Sequence, residues 1–217
     1  MPEPRTAPLL VSYYESFLRD QDVDVFRTRV TARYLEGTLT RLARSPDSQT
    51  RRAAILALGL VGSFQTNATV ARALRDPDPT VRSLAENGLW AIWFRADTSE
   101  NNAMLEQASL LIARHRYKDA LFVTGRLIER APHFAEAYNQ RAIVEYHLGR
   151  FDSSAEDCRK AIDRNPYHIG ALAGLARCLL HLNQRDKAIE VLRRAARIQP
   201  YNDGIRQFIA ELEAGEV

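Results

Sequence analysis

At 217 residues, with 46% hydrophobic and 26% charged residues, the chain has apolar material for one large or two small folded domains. Its formal charge of +3 is too small for a strongly basic nucleic-acid domain, and no apolar run approaches the roughly 20 residues of a membrane span. Two cysteines, Cys158 and Cys178, provide no disulfide framework; both fall on helical patterns and are expected as buried thiols.

In chain order, the proline-bearing residues 1–8 are expected to form a disordered tail. The apolar patch that follows is too short for a signal-peptide core, so the expectation is a cytoplasmic protein. Residues 9–36 are expected to add two covering helices, with Phe17, Leu18, Val25, Phe26 and Val30 as their apolar faces. A period of 31 residues then appears: TLTRLARSPD at 38–47 aligns with TVARALRDPD at 69–78, and TRRAAILAL at 50–58 with VRSLAENGL at 81–89. Arg51 thereby matches Arg82, Ala54 matches Ala85 and Leu58 matches Leu89. Asp47 and Asp78 precede helical patterns as N-cap acceptors. Over about residues 38–95 this pattern resembles short HEAT repeats of the phycobilin-lyase type. The resemblance implies that the Asp-Pro-Asp turn of Asp76, Pro77 and Asp78 caps one helix while Arg51 and Arg82 support stacking. Residues 9–97 are read as this HEAT-like region with its N-terminal cap. The polar junction Arg95–Asn101 ends it, with Thr98 or Ser99 available to cap the next helix.

From residue 101 the period lengthens to 34. Pro132, Pro166 and Pro200 keep that interval, as do Ala103, Ala137 and Ala171; Ala108, Ala142 and Ala176; and Ala120, Ser154 and Ala188. Each unit reads as two helices, in the second unit about 135–148 and 151–164, with one apolar stripe per helix. Gly149 stands between them, where a left-handed residue can end a helix; His115 and Asn183 occupy the equivalent places. The segments AMLEQASLLIARHRYKDALFVTGRLIERAP, AYNQRAIVEYHLGRFDSSAEDCRKAIDRNP and ALAGLARCLLHLNQRDKAIEVLRRAARIQP resemble the tetratricopeptide repeat family. Three units, 101–134, 135–168 and 169–202, lie within a region spanning 98–217. Residues 203–213, with Ile205, Phe208, Ile209 and Leu212 on one face, resemble the helix that covers the open end of such a stack.

No phosphate-binding glycine loop, dinucleotide fingerprint or zincin motif is present, so the chain is not read as an enzyme. His147 and His181, 34 residues apart, with Cys178 three positions before His181, raise the idea of a metal site. The repeat fixes no further ligand, so these are read as groove or packing residues and neither metal nor cofactor is expected. Arg126, Lys160 and Arg194 also recur at 34 and, with Arg130, Arg159, Arg164 and Arg193, form a basic ridge expected on the outer side. Acidic neighbours dilute it, and cations at helix C-termini complement the dipole, so a nucleic-acid partner is not favoured.

The tetratricopeptide resemblance implies that the first helix of each unit lines a concave surface. Its candidate partner-binding residues are Asn139, Gln140, Ile143, Tyr146, His147, Arg177 and His181. The lysine–asparagine–asparagine–lysine–arginine clamp of the chaperone-binding subclass maps onto Leu105, Ser109, Gln140, Gly170 and Gly174, none of which keeps the required residue. The reading is an all-α right-handed helical-repeat solenoid, HEAT-like repeats continuing into three tetratricopeptide repeats and a capping helix, with about 13 helices. Its expected function is to bind a protein or peptide as a non-catalytic scaffold, without a membrane partner. The alternatives are nucleic-acid association through the ridge and an accessory role to an enzyme of the chromophore-lyase kind. The oligomeric state is left open.

Overall fold

The computed structural model describes residues 8–215, and among them there are 13 α-helices, one short 3-10 turn and no strand. Residues 1–7, most of the expected tail, lie outside the described residues, while Pro8 precedes the first helix. The chain divides into two compact units, one ending at Ile92 and the other beginning at Trp93.

The first unit contains α1 (Leu9–Asp20), α2 (Val23–Thr31), α3 (Glu36–Leu42), α4 (Ser48–Val61), α5 (Asn67–Ala73) and most of α6 (Pro79–Phe94). The two covering helices α1 and α2 form as expected, and both pack on α4. On α2, Phe26 and Val30 are four apart and buried, whereas Val25, about 100° round the helix from Phe26, is exposed. On α1 the inward residues are Leu10, Val11 and Tyr14; Leu18 is exposed.

The turns of this unit are built from charged side chains. Asp47 caps α4 by accepting from the Thr50 amide at 2.8 Å. Arg51 forks onto Asp76 through Nε (2.7 Å) and Nη2 (2.9 Å), and its Nη1 donates to the carbonyls of Ser45 and Pro46. Thirty-one residues on, Arg82 Nη1 donates to the carbonyls of Asp76 and Pro77 in the same way. The neighbouring Arg52 reaches Asp78 at 2.7 Å. Arginine from one repeat is thus tied to the aspartate of the next. Elsewhere the helices approach closely enough to exclude a side chain. A Cβ built on Gly59 of α4 would lie 2.9 Å from the Cα of Gly88 on α6.

The second unit contains α7 (Ser99–Ala113), α8 (Tyr117–Arg130), α9 (Ala135–His147), α10 (Phe151–Arg164), α11 (Ile169–His181), α12 (Arg185–Ile198) and α13 (Asp203–Ala214). Each helix packs on the next, and α7, α9 and α11 also touch in succession. The first helices of the three repeats therefore form one layer. Small residues permit the close packing: Ala108, Ala142, Ala176, Ala120, Ser154 and Ala188 are all at most 1% exposed. Ala137 and Ala171 are buried as well, but Ala103 is exposed, because α7 has no preceding tetratricopeptide unit to cover it.

The link between paired helices is the same in all three repeats. His115, Gly149 and Asn183 take positive φ of 57°, 73° and 56°. The amide after each reaches back to a carbonyl five residues earlier: Arg116 to Leu111, Arg150 to Glu145, Gln184 to Leu179. This is a Schellman ending, which satisfies the last carbonyls of the first helix and turns the chain into the second. The capping helix α13 buries Leu212 and half-buries Ile205, Phe208 and Ile209.

The unit also takes in residues that the sequence had placed before it. Phe94 and Ala96 pack against the cluster of Leu105, Leu127, Ala131, Phe134 and Ala137. Asp97 accepts from the Thr98 amide and from Asn101. Trp93 stacks on His168, ring centroids 4.3 Å apart. For this reason the second unit begins at Trp93 and not at residue 98.

Candidate functional site

The layer of α7, α9 and α11 presents the residues assigned to a binding groove, and it has a closed part and an open part. Glu136 opens α9 and is 1% exposed. Its carboxylate has three donors: Asn139 Nδ2 (2.9 Å) and Gln140 Nε2 (2.8 Å) on Oε1, and His168 on Oε2 at 2.7 Å. His168 also caps α11, its Nδ1 accepting from the Ala171 amide at 3.1 Å. An acceptor at Nδ1 places the ring proton on Nε2, which donates to Glu136. Trp93, 1% exposed, stacks on a face of the ring.

Asn139 and Gln140 therefore do not face outward as the register implies. They are 3% and 5% exposed, and their amides are committed to Oε1 of a buried carboxylate, the oxygen that His168 does not reach. Leu105, the first position of the chaperone clamp pattern, is fully buried and apolar.

The open part lies at the C-terminal ends of the same helices. Ile143 and Tyr146 are half-buried; His147, Arg177 and His181 are exposed. Tyr146 and His181 come from successive repeats and meet at 2.9 Å between the hydroxyl and Nε2. His181 lies flat on Phe151, with ring centroids 4.1 Å apart and planes 1° apart. His147 stacks on Tyr117 at 4.9 Å and 11°. In both pairs the last residue of one repeat's first helix stacks on the first residue of the preceding repeat's second helix. Tyr117 and Phe151 were not among the candidate binding residues, Phe151 being read as part of an apolar stripe, although their spacing of 34 is itself the signal that could have found them. Together Tyr117, Tyr146, His147, Phe151 and His181 form a strip of aromatic and imidazole rings, with Arg177 one turn before His181 on α11. Such a surface can stack on planar groups and donate to carbonyls and carboxylates.

The cysteines lie apart from this strip. Cys178 is fully buried, and its Sγ donates to Ser154 Oγ at 3.1 Å, while Ser154 donates to the Ala142 carbonyl at 2.7 Å. The Cys158 thiol is pushed up by its hydrogen bond to Cys178 and by burial. Among the described residues no group of three or more His, Cys, Asp or Glu side chains could hold a metal ion. Nor is any described helix long and apolar enough to cross a membrane.

On the basic ridge, Lys160 pairs with Glu156 at 2.6 Å, and Arg193 with Glu213 at 2.7 Å. Arg164 donates to the carbonyls of Pro132 and Lys160, with its guanidinium 4.2 Å from the Tyr138 ring centroid.

Comparison with known proteins agrees with this architecture. Two tetratricopeptide repeat families match residues 105–169 and 145–212, and a HEAT repeat family matches residues 35–108. A TPR repeat-containing protein of Rhizobium etli is 29% identical over 105 residues, 48% of this chain and 52% of that protein. The human WD and tetratricopeptide repeats protein 1 is 36% identical over 78 residues, 34% of this chain and 11% of that protein. The match thus spans about half the length of the first relative and a small part of the second. Among solved structures, the first TPR of Spaghetti (RPAP3), bound to an HSP90 peptide, superposes with a TM-score of 0.52 at 16% identity, covering 55% of this chain and 94% of that one. Period, register and these matches agree that the chain carries tetratricopeptide repeats over residues 105–212, preceded by HEAT repeats over residues 35–108.

Proposed function

We propose that the chain is a non-catalytic scaffold that binds a protein or peptide segment on the α7–α9–α11 face. The observation that carries this reading is the strip of rings in which Tyr146 and His181 join two repeats, with the exposed Arg177 one turn before His181 on the same helix. Aromatic and arginine side chains held in place before binding are the residues that dominate interface energetics. The RPAP3 domain of the same fold, solved with a peptide bound, supports a peptide as the class of partner. The recognition itself differs from the chaperone clamp, since Leu105, Ser109, Gln140, Gly170 and Gly174 supply neither its lysines nor its arginine. With Asn139 and Gln140 committed to Glu136, the working part of the face reduces to Ile143, Tyr146, His147, Arg177 and His181. The basic ridge is the weaker surface, because Lys160, Arg164 and Arg193 are already engaged within the unit.

Capture from the native host with paired variants tests the reading. Tyr146→Ala with Arg177→Ala is expected to lower capture by about 30-fold or more, the loss of about 2 kcal/mol typical of hot-spot residues. Arg177→Glu alone, at an exposed position, is expected to weaken capture with no change in melting. Replacing Arg126, Lys160 and Arg194 by Glu is expected to leave capture intact. Loss in the ridge variant with retention in both face variants would transfer the function to the ridge.

A further inference from the structure

The chain has two cysteines, and the fold brings them together. Cys158 lies on α10, the second helix of the middle repeat, and Cys178 on α11, the first helix of the next. Packing does not ask for sulfur at either place. At the spacing of 34, Cys158 is matched by Thr124 and Leu192, and Cys178 by Leu110 and Val144. A buried thiol can serve as a small apolar group, which accounts for each cysteine alone. It does not account for two single-copy cysteines on different helices that meet.

The meeting is close. Ser154 and Cys158 stand one turn apart on one face of α10, as Gly174 and Cys178 do on α11. Gly174 lets Cys158 press onto α11: a Cβ built there would lie 3.1 Å from Cys158 Sγ. Cys178 Sγ lies 3.1 Å from Ser154 Oγ. Each sulfur thus rests on the small residue one turn from the other, and the two thiols hydrogen-bond to each other. That bond, with burial, pushes the Cys158 thiol up; against burial, it draws the Cys178 thiol below the usual thiol range. Cys178 is therefore the sulfur that gives up its proton first.

We propose that Cys158 and Cys178 are a modification site, a dithiol that a hydroperoxide closes to a disulfide between α10 and α11. The thiolate is the nucleophile in such chemistry. The Cys178 sulfur attacks a peroxide oxygen: an S–O bond forms, the O–O bond breaks, and the leaving hydroxide takes the proton that Cys178 gave up. The Cys158 sulfur then attacks the resulting sulfenic acid; the S–S bond forms, the S–O bond breaks, and the hydroxyl leaves with the Cys158 proton as water. Two thiols lose two electrons and hydrogen peroxide becomes two waters. With Cys158 2% exposed and Cys178 fully buried, the oxidant must be small and must enter as the α10–α11 contact opens. The same burial favours the neighbouring thiol over further oxidant as the second reactant. The bond ties the helix that carries Arg177 and His181 to the helix before it. It does not depend on what the face binds.

Peroxide treatment of the full chain in dilute solution tests the proposal, followed by alkylation in denaturant, intact mass and peptide mapping. The reduced chain is expected to alkylate at both cysteines and the oxidised chain at neither, with the two cysteine peptides joined. Dithiothreitol is expected to restore both thiols, and helicity is expected to stay unchanged throughout. Two variants take the residues that equivalent positions already carry. Cys158→Thr is expected to stop at a sulfenic acid on Cys178, trapped by dimedone. Cys178→Val is expected to leave Cys158 as a thiol. The proposal is overturned if both cysteines still alkylate after prolonged exposure to millimolar peroxide. It is equally overturned if the product is a chain dimer or a sulfinic acid without the internal bond, or if the bond forms only with loss of helicity.

Discussion

Residues 8–92 join successive repeats by charge and by bare backbone. Residues 93–215 join them by alanines and rings. In the HEAT unit, Arg51 reaches 25 residues along the chain to grip the turn of the next repeat, and α4 and α6 meet through Gly59 and Gly88. In the tetratricopeptide unit the corresponding ion pair, Arg141 with Asp157, stays inside one repeat, and successive repeats meet through small residues, the His147–Tyr117 and His181–Phe151 stacks, and hydrogen bonds such as Tyr146–His181 and Cys178–Ser154. The difference shows where each unit can tolerate change. A charge network fixes turns and leaves cavities beside them. An alanine interface fills space and leaves only its edge available for rings.

The largest break in this comparison is expected at the glycine contact. A methyl group added at Gly59 has no room, because the obstacle is backbone 2.9 Å away and not a movable side chain. Gly59→Ala is expected to destabilise residues 8–92 by about 2 kcal/mol net, as overpacking outweighs the roughly 1 kcal/mol that helix propensity returns. Hydrogen exchange resolved along the chain would show the loss confined to that unit. A stabilised Gly59→Ala variant would mean that the two helices do not touch.

A smaller effect separates conformation from space in the second unit. Gly149 and Gly125 both have open surroundings, but Gly149 holds φ at +73° while Gly125 lies within α8. Gly149→Ala is expected to cost about 1 kcal/mol through the left-handed backbone alone. Gly125→Ala is expected to gain about 0.5–1 kcal/mol. Urea melts of the two variants should move in opposite directions. Equal shifts would show that the turn does not depend on handedness.

The smallest effect concerns acid. Hydrogen bonds from the Thr50 side chain and backbone hold the Asp47 carboxyl below the usual carboxylate range. Burial would raise Asp78, but hydrogen bonds from Arg52 and Thr80 bring it below that range as well. A depressed folded value means that the stabilisation is complete above the unfolded value of about 3.9 and is lost as pH falls through the folded one. The HEAT unit is therefore expected to weaken below about pH 4, and Asp47→Asn, which still caps α4, is expected to flatten part of that slope. An unchanged slope in that variant would remove Asp47 from the acid response.

The repeats were legible because duplication leaves an arithmetic trace. Prolines at 132, 166 and 200 and the aligned Asp-Pro turns mark helix ends wherever the fold places them. The left-handed positions 115, 149 and 183 followed from the same register. The burial of Asn139 and Gln140 was not legible. It depends on Glu136 finding His168 in the next turn and on Trp93, a residue outside the 34-residue period, covering that histidine. Periodicity reports what the units share; the closed half of the face is made by what one unit does not share. The Arg51–Asp76 fork was expected only as support for stacking, since its separation of 25 matches neither period.

The repeated stacks also set a grammar for editing the chain. Excision of residues 135–168 joins Phe134 to Ile169 and brings His181 to the place of His147, over Tyr117. The splice removes Glu136 together with His168, and Arg141 together with Asp157, so neither bonded pair is left half-present. Among what it strands are Trp93, without the ring it covers, the Ala171 amide, without its His168 cap, the Pro132 carbonyl, without Tyr138 and Arg164, and Cys178, which would face Ala120 where Ser154 had been. Whole-unit deletion thus keeps the register while breaking those contacts, and they mark where the middle repeat has ceased to be interchangeable with its neighbours.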